Sequence, residues 1–166
     1  MGFVVLHMEK AHGSDSGPTA HIERFIIPKN ADPTRTHLNR KLVAYPDGIK
    51  DRSAAIRRRL EEAGLTRKIG SNQVRAIRIN VSGTHEDMKR IKEEGRLDEW
   101  CADNLKYFAD TFGKENIVAA HLHRDEETPH IHVTLVPIGK GERKRRKREE
   151  QTKKRCRKKP TDTVRL

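Results

Sequence analysis

Apolar and polar positions alternate most clearly in residues 130–136, His-Ile-His-Val-Thr-Leu-Val. The run is rich in β-branched residues and predicts a strand. Residues 116–123 predict a second strand. The six residues between are polar and end in Pro129, which forbids a helix there, so the two strands are expected to close a hairpin. Residues 2–8, Gly-Phe-Val-Val-Leu-His-Met, form a continuous apolar run. They predict a first strand, buried on both faces and central. Residues 74–81 alternate in part, but Arg75, Arg78 and Asn80 do not share one face, which predicts an edge or bulged strand.

Helical spacing appears in two places. Ala54, Ile56, Leu60 and Ala63 follow a cap at Asp51 or Ser53, and Gly64 ends the run. Met88, Ile91, Leu97, Trp100, Leu105 and Phe108 form a broken stripe that opens on Ser82 or Thr84. Gly95 is expected to split it in two, with the second helix running from about Arg96 to Phe112 and ending at Gly113. Trp100, Tyr107, Phe108 and Phe112 are expected to pack these helices on a sheet, and Phe112 is also placed to stack a base. Residues 9–19, with two glycines, two serines and a proline, predict a loop. The polar run 29–40 has turn chemistry at Asn30 and at Asp32-Pro33. Its hydroxyls, amides and arginines suit phosphate contact.

Composition narrows the picture. The 166 residues are 33% hydrophobic and 36% charged, which allows one domain with a small core. The formal charge is +12. Residues 140–159 hold 13 Lys/Arg against 3 Glu, so this stretch supplies +10 of the total. The chain therefore divides into a nearly neutral body, residues 1–138, and a basic tail, residues 139–166, suited to a polyanion by counterion release. The chain is expected to stop at a domain edge of a longer protein. No long apolar run and no signal peptide is present, so no membrane insertion is expected. Cys101 and Cys156 lack metal-ligand spacing and are expected to be thiols in a reducing, cytoplasmic setting.

The candidate chemistry lies in residues 121–132, which hold four histidines and three acids. Residues two apart on a strand share a face, so His130 and His132 present two imidazoles side by side. If the hairpin closes, His123 joins them and Glu126 hangs over the face. Three imidazoles and a carboxylate suit a divalent cation with a position left for a substrate oxygen. His121 is assigned a structural or supporting place. A bare hairpin with exposed histidines is the alternative. Beside a basic surface, the natural reaction of such a site is phosphoryl transfer on nucleic acid. Of the candidate nucleophiles, Tyr45 and Tyr107 lie in unconvincing settings. His21, in a polar setting beside Glu23 and Arg24, can attack phosphorus through a ring nitrogen, with Glu126 to orient it or take its proton.

These residues carry a resemblance. His123-Arg124-Asp125-Glu126-Glu127-Thr128-Pro129-His130-Ile131-His132 is similar to the third motif of the MobV (Pre/Mob) plasmid mobilisation relaxases, H-x-D-E-x-T-P-H-x-H. His21-Ile22-Glu23-Arg24, followed by Asn30, Pro33-Thr34-Arg35-Thr36 and Leu38-Asn39, resembles that family's first motif. The resemblance covers about residues 3–138. It implies an α+β, HUH-type relaxase domain, an antiparallel β-sheet with flanking helices. It also implies Mn2+ or Mg2+ held by His123, His130 and His132. His21 would be the nucleophile and Glu126 its partner. Arg24, Arg35, Asn39, Arg40 and Phe112 are the expected DNA contacts. The partner would be single-stranded or supercoiled origin DNA, with a homodimer formed through further C-terminal segments. Where the family often has an aromatic after Leu-Asn, this chain has Arg40.

Rival readings follow from the same residues. One is an HUH replication initiator that uses a tyrosine. Another is a non-catalytic, basic nucleic-acid binder with a structural metal. A third, a two-histidine phosphoesterase read from His132-Val133-Thr134, lacks its second His-x-Thr/Ser in a strand-like setting.

Overall fold

A computed structural model describes residues 4–141 and the short strand Thr163–Arg165. The body is a five-stranded antiparallel sheet between two helical layers. Its strands are β1 (Val4–Ala11), β2 (Arg40–Lys41), β3 (Ala76–Gly83), β4 (Ile117–His123) and β5 (His130–Leu135), in the spatial order β1-β3-β5-β4-β2. The hairpin of β4 and β5 closes as its pattern predicts, with His123 opposite His130 and His121 opposite His132.

One face of the sheet is apolar. Ile79, Val81, Leu122, Ile131 and Val133 point there, under helices α3 (His85–Glu93) and α4 (Leu97–Phe112), which contribute Met88, Leu97, Cys101 and Phe108. Thr84 caps α3 by accepting from the Asp87 N–H. Gly95, at φ +70°, breaks the stripe between α3 and α4, a backbone that suits glycine because it has no Cβ. Of the aromatics in α4, Phe108 is buried, while Tyr107 and Phe112 are exposed at the rim.

The opposite face carries the histidines. It is covered by α1 (Ser16–Ile22) and α2 (Arg52–Glu62). Ile56 of α2 packs there with Ala11, Ala76, Val136 and Ile138, and Asp51 caps α2 through the Ala54 N–H.

Three expectations fail. The first strand lies at the edge of the sheet, with Val4 77% and Leu6 47% exposed, because the covering helices cross the inner strands and stop short of it. Conversely, the strand expected at an edge, β3, lies inside, between β1 and β5. Part of the expected loop 9–19 is ordered as the end of β1 and the start of α1.

Tertiary ion pairs, not local propensity, explain the short helix α1. Asp15 precedes it at φ 56° and Arg24 follows it at φ 60°, both left-handed and costly for residues with a Cβ. Asp15 is paired with Arg52 at 2.5 Å and Arg78 at 2.6 Å. Fully buried Arg52 also donates to Thr19 Oγ1 and to Thr134 Oγ1 on β5, pinning α1 and α2 to the sheet. Beyond β5, the short strand β6 (Gly139–Gly141) pairs with β7 (Thr163–Arg165). The rest of the basic tail, including Cys156, lies outside the described residues.

Candidate metal centre and nucleic-acid site

Alternation on β4 and β5 brings His123, His130 and His132 to one point, with ligand atoms within 4.8 Å of one another. The ring centroids lie 4.7–5.1 Å apart. Each ring is oriented differently. His123 donates from Nε2 to the Ile22 carbonyl at 2.8 Å, which leaves its buried Nδ1 with no partner among the described residues. His130 donates from Nδ1 to the Thr128 carbonyl at 3.0 Å, leaving Nε2 as the acceptor nitrogen. That nitrogen lies 3.1 Å from His132 Nε2.

Burial keeps His123 and His132 neutral. It holds His123 down to about 4 and His132 to about 2, helped by the positive charge of Arg24 and by the neighbouring rings. Three imidazole nitrogens within 4.8 Å of one another are the donor set a borderline divalent cation takes. The residues therefore fit the metal that the motif implies, at His123 Nδ1, His130 Nε2 and His132 Nε2.

The loop Arg124–Pro129 is fixed by a buried clamp. Arg24 donates from Nε and Nη2 to both oxygens of Asp125, each at 2.8 Å, and from Nη2 to Glu126 at 2.7 Å. Burial alone would raise the Asp125 carboxyl, but the two bonds from Arg24 win and hold it far below the usual carboxylate range. Asn39 Oδ1 accepts from the Arg124 and Asp125 N–H groups. Arg35 donates to the Arg124 carbonyl. Arg24, Arg35 and Asn39, expected at DNA, are thus engaged in holding the loop that carries Glu126.

His21 lies on the last turn of α1 and is exposed. It lines a cavity of about 660 Å³ together with Arg24, Asn30, Asn80, Glu126, His130 and His132. Two segments far apart in sequence thus meet there, as the motif pairing requires. Glu126 differs from expectation in its partners. Its oxygens accept from Arg24 and from Asn30 Nδ2 at 2.8 Å, and no hydrogen bond joins it to His21 among the described residues. Glu126 Oε1 lies 3.8 Å from His130 Nε2.

Arg40 sits on β2, exposed and paired with Asp98. With Lys41, Lys50 and Phe25 it lines a second groove of about 310 Å³, which shares Ile22 and Arg24 with the histidine cavity. Phe112 stacks on Phe108 in the opposite layer and does not line the histidine cavity.

Behind the histidines lies a network that the sequence did not announce. Tyr45 donates its hydroxyl to Glu23 and lies 3.4 Å from His121 Nε2. Burial, then the Glu23 bond, pushes the Tyr45 phenol far above its ordinary value. The place of Asn80 was equally hidden. Only the register of β3, not its residue pattern, sets Asn80 beside His132.

Comparison with known proteins gives a consistent result. The family model described as "Plasmid recombination enzyme" (Mob_Pre) matches residues 1–163. A plasmid recombination enzyme of Bacillus sp is 31% identical over 150 residues, which is 85% of this chain and 34% of that protein. One from Streptococcus agalactiae is 27% identical over 149 residues, 85% of this chain and 29% of that protein. The chain therefore spans about a third of the curated relatives it matches. A crystal structure of the MobM relaxase domain, Mn-bound and in complex with oriT DNA of plasmid pMV158, aligns with a TM-score of 0.73 at 27% identity. The match covers 82% of this chain and 72% of that one.

Proposed function

The chain belongs to the plasmid recombination enzyme family, and from that premise we propose that it nicks one strand of DNA at a plasmid or mobile-element origin of transfer. The reading is a metal-dependent, sequence-specific strand transfer through a covalent 5′-phosphohistidine. The observation that supports it is the cavity that His21 lines together with His130 and His132, two of the three converging imidazoles.

In this reading residues 1–138 are the nicking domain and origin DNA in the cytoplasm is the substrate. A divalent cation, Mn2+ or Mg2+, held by His123, His130 and His132, would neutralise charge on the phosphodiester oxygens. His21 uses the lone pair of one ring nitrogen to attack phosphorus. The N–P bond forms as the P–O3′ bond breaks, and its electron pair leaves with the 3′ oxygen, which takes a proton from water. The other ring N–H gains acidity as positive charge spreads over the imidazole, and that proton passes to solvent. Glu126, 3.8 Å from the histidine cluster and tethered by Arg24, supplies negative charge at the mouth of the cavity. Rejoining is the reverse reaction, with a 3′ hydroxyl attacking the phosphohistidine.

A tyrosine mechanism has less support. Tyr45 is committed to Glu23 and its phenol is held protonated, while Tyr107 is exposed on α4, in the layer away from the histidines. The test is incubation of supercoiled plasmid carrying the cognate origin with the protein and Mn2+. Relaxed, nicked circles are expected from the wild type and from Tyr45→Phe and Tyr107→Phe, but not from His21→Ala. A shifted plasmid that stays supercoiled would leave only a nucleic-acid binder.

A further inference from the structure

Two of the three histidines have a visible partner behind them. His123 donates its outer N–H to the Ile22 carbonyl and His130 donates its own to the Thr128 carbonyl. Such partners fix which nitrogen is free for the metal and keep the ring from turning. His132 differs. Its Nε2 faces His130, and its Nδ1 has no hydrogen-bond partner among the described residues.

Directly across from His132, on β3, stands Asn80. A row of side chains runs across four strands there, His7, Asn80, His132 and His121, all on the same face. Asn80 Oδ1 is buried and has no partner among the described residues. A buried amide oxygen left unpaired costs about 1–3 kcal/mol, so an acceptor in that place calls for a donor. Its two neighbours on the row are His7, whose Nε2 is with Glu9, and His132. His121 lies one strand beyond His132, its Nε2 toward Tyr45. Ser82, two residues further along β3, donates to the Pro129 carbonyl and holds the start of β5 beside β3.

We propose that Asn80 is the positioning residue for His132, accepting its Nδ1–H so that Nε2 is presented to the metal. Once a cation takes Nε2, the neutral ring must carry its proton on Nδ1, and Asn80 Oδ1 is the acceptor that the strand register supplies. The three ligands are then fixed alike, two by main-chain carbonyls and one by a side-chain amide. The inference rests on the metal assignment above but not on the identity of the nucleophile.

The test is Mn2+ affinity of the DNA-free protein, read by electron paramagnetic resonance of the free ion. Asn80→Leu removes the acceptor at similar volume and is expected to weaken Mn2+ binding roughly 10- to 100-fold. Asn80→Asp keeps an acceptor and should bind within about threefold of wild type or tighter. In 15N-labelled, Zn2+-loaded protein, a slowly exchanging His132 Nδ1–H is expected in wild type and Asn80→Asp and not in Asn80→Leu. Should leucine prevent folding, Asn80→Ala gives the same readouts with less bulk. Wild-type-like Mn2+ affinity in a folded Asn80→Leu or Asn80→Ala would overturn the proposal while leaving the nicking reading intact. If wild type binds Mn2+ but cuts no origin DNA, the nicking reading fails and this one stands. Mn2+ binding unchanged by His132→Ala would remove both.

Discussion

His130 and His132 hold their Nε2 atoms 3.1 Å apart. His130 already commits its Nδ1–H to the Thr128 carbonyl, so its Nε2 is a lone-pair acceptor. Two such nitrogens at that separation repel unless a proton or a cation lies between them. Mn2+ is therefore expected to stabilise the folded chain. At a metal concentration 100 times Kd the gain is about 2.7 kcal/mol, or roughly 5–10 °C in Tm for a domain of this size. Alanine at His123, His130 or His132 should abolish most of that shift. An equal shift in His132→Ala would contradict the three-ring site.

Without metal, acid should unfold the protein early. His121, His123 and His132 are held at about 3, 4 and 2, chiefly by burial. Their unfolded values are near 6.5. As pH falls below 6.5 the unfolded chain takes protons that the folded chain refuses. Stability from these groups is therefore complete above about pH 6.5 and declines toward the folded values. Melting in chelator should show Tm falling between pH 7 and 5, and the fall should be shallower in His121→Ala. The Asp125 carboxyl, held low by Arg24, adds its own loss only below the ordinary carboxylate range. A Tm constant from pH 7 to 5 would show the rings to be solvated.

The Arg24–Asp125 pair is expected to matter more to the fold than a surface ion pair does. Its side chains are 7% and 0% exposed. Removing Arg24 leaves the buried Asp125 charge unpaired, at a cost of about 3–5 kcal/mol, and removing Asp125 leaves buried Arg24 with Glu126 alone, at the lower end of that range. Arg24→Ala and Asp125→Ala should each destabilise by that order in denaturant melts, and the double variant by less than their sum. Arg24→Lys should rescue poorly, because an ammonium cannot make the two parallel bonds of the guanidinium. Additive effects would mean that the two residues act independently.

The hairpin and its histidines were legible because alternation with period two is a strong signal and Pro129 marks the turn. The helices were legible from their caps, Asp51 and Thr84, and from Gly95. By contrast α1 was hidden, since Ser16, Gly17 and Pro18 read as a loop. Its stability comes from Asp15 and Arg24, whose partners Arg52, Arg78 and Asp125 are distant in sequence. The position of β1 was misread for a related reason. Its apolar run is intrinsic to the strand, but burial depends on which strands the helices cover. Asn80 looked like an irregularity of β3 until the register set it opposite His132. Arg24, Arg35 and Asn39 are polar residues of a kind that DNA-binding loops use, and residue type alone does not separate contact with phosphate from support of a loop.

The most direct test is chemical. Origin DNA cut by the protein in Mn2+ should leave a covalent DNA–protein adduct, and proteolysis with mass spectrometry should place the 5′ phosphate on the imidazole of His21. The bond should be labile in acid, as a P–N bond is, and His21→Ala should form no adduct. Recovery of the phosphate on Tyr45 or Tyr107, stable to acid, would contradict the account.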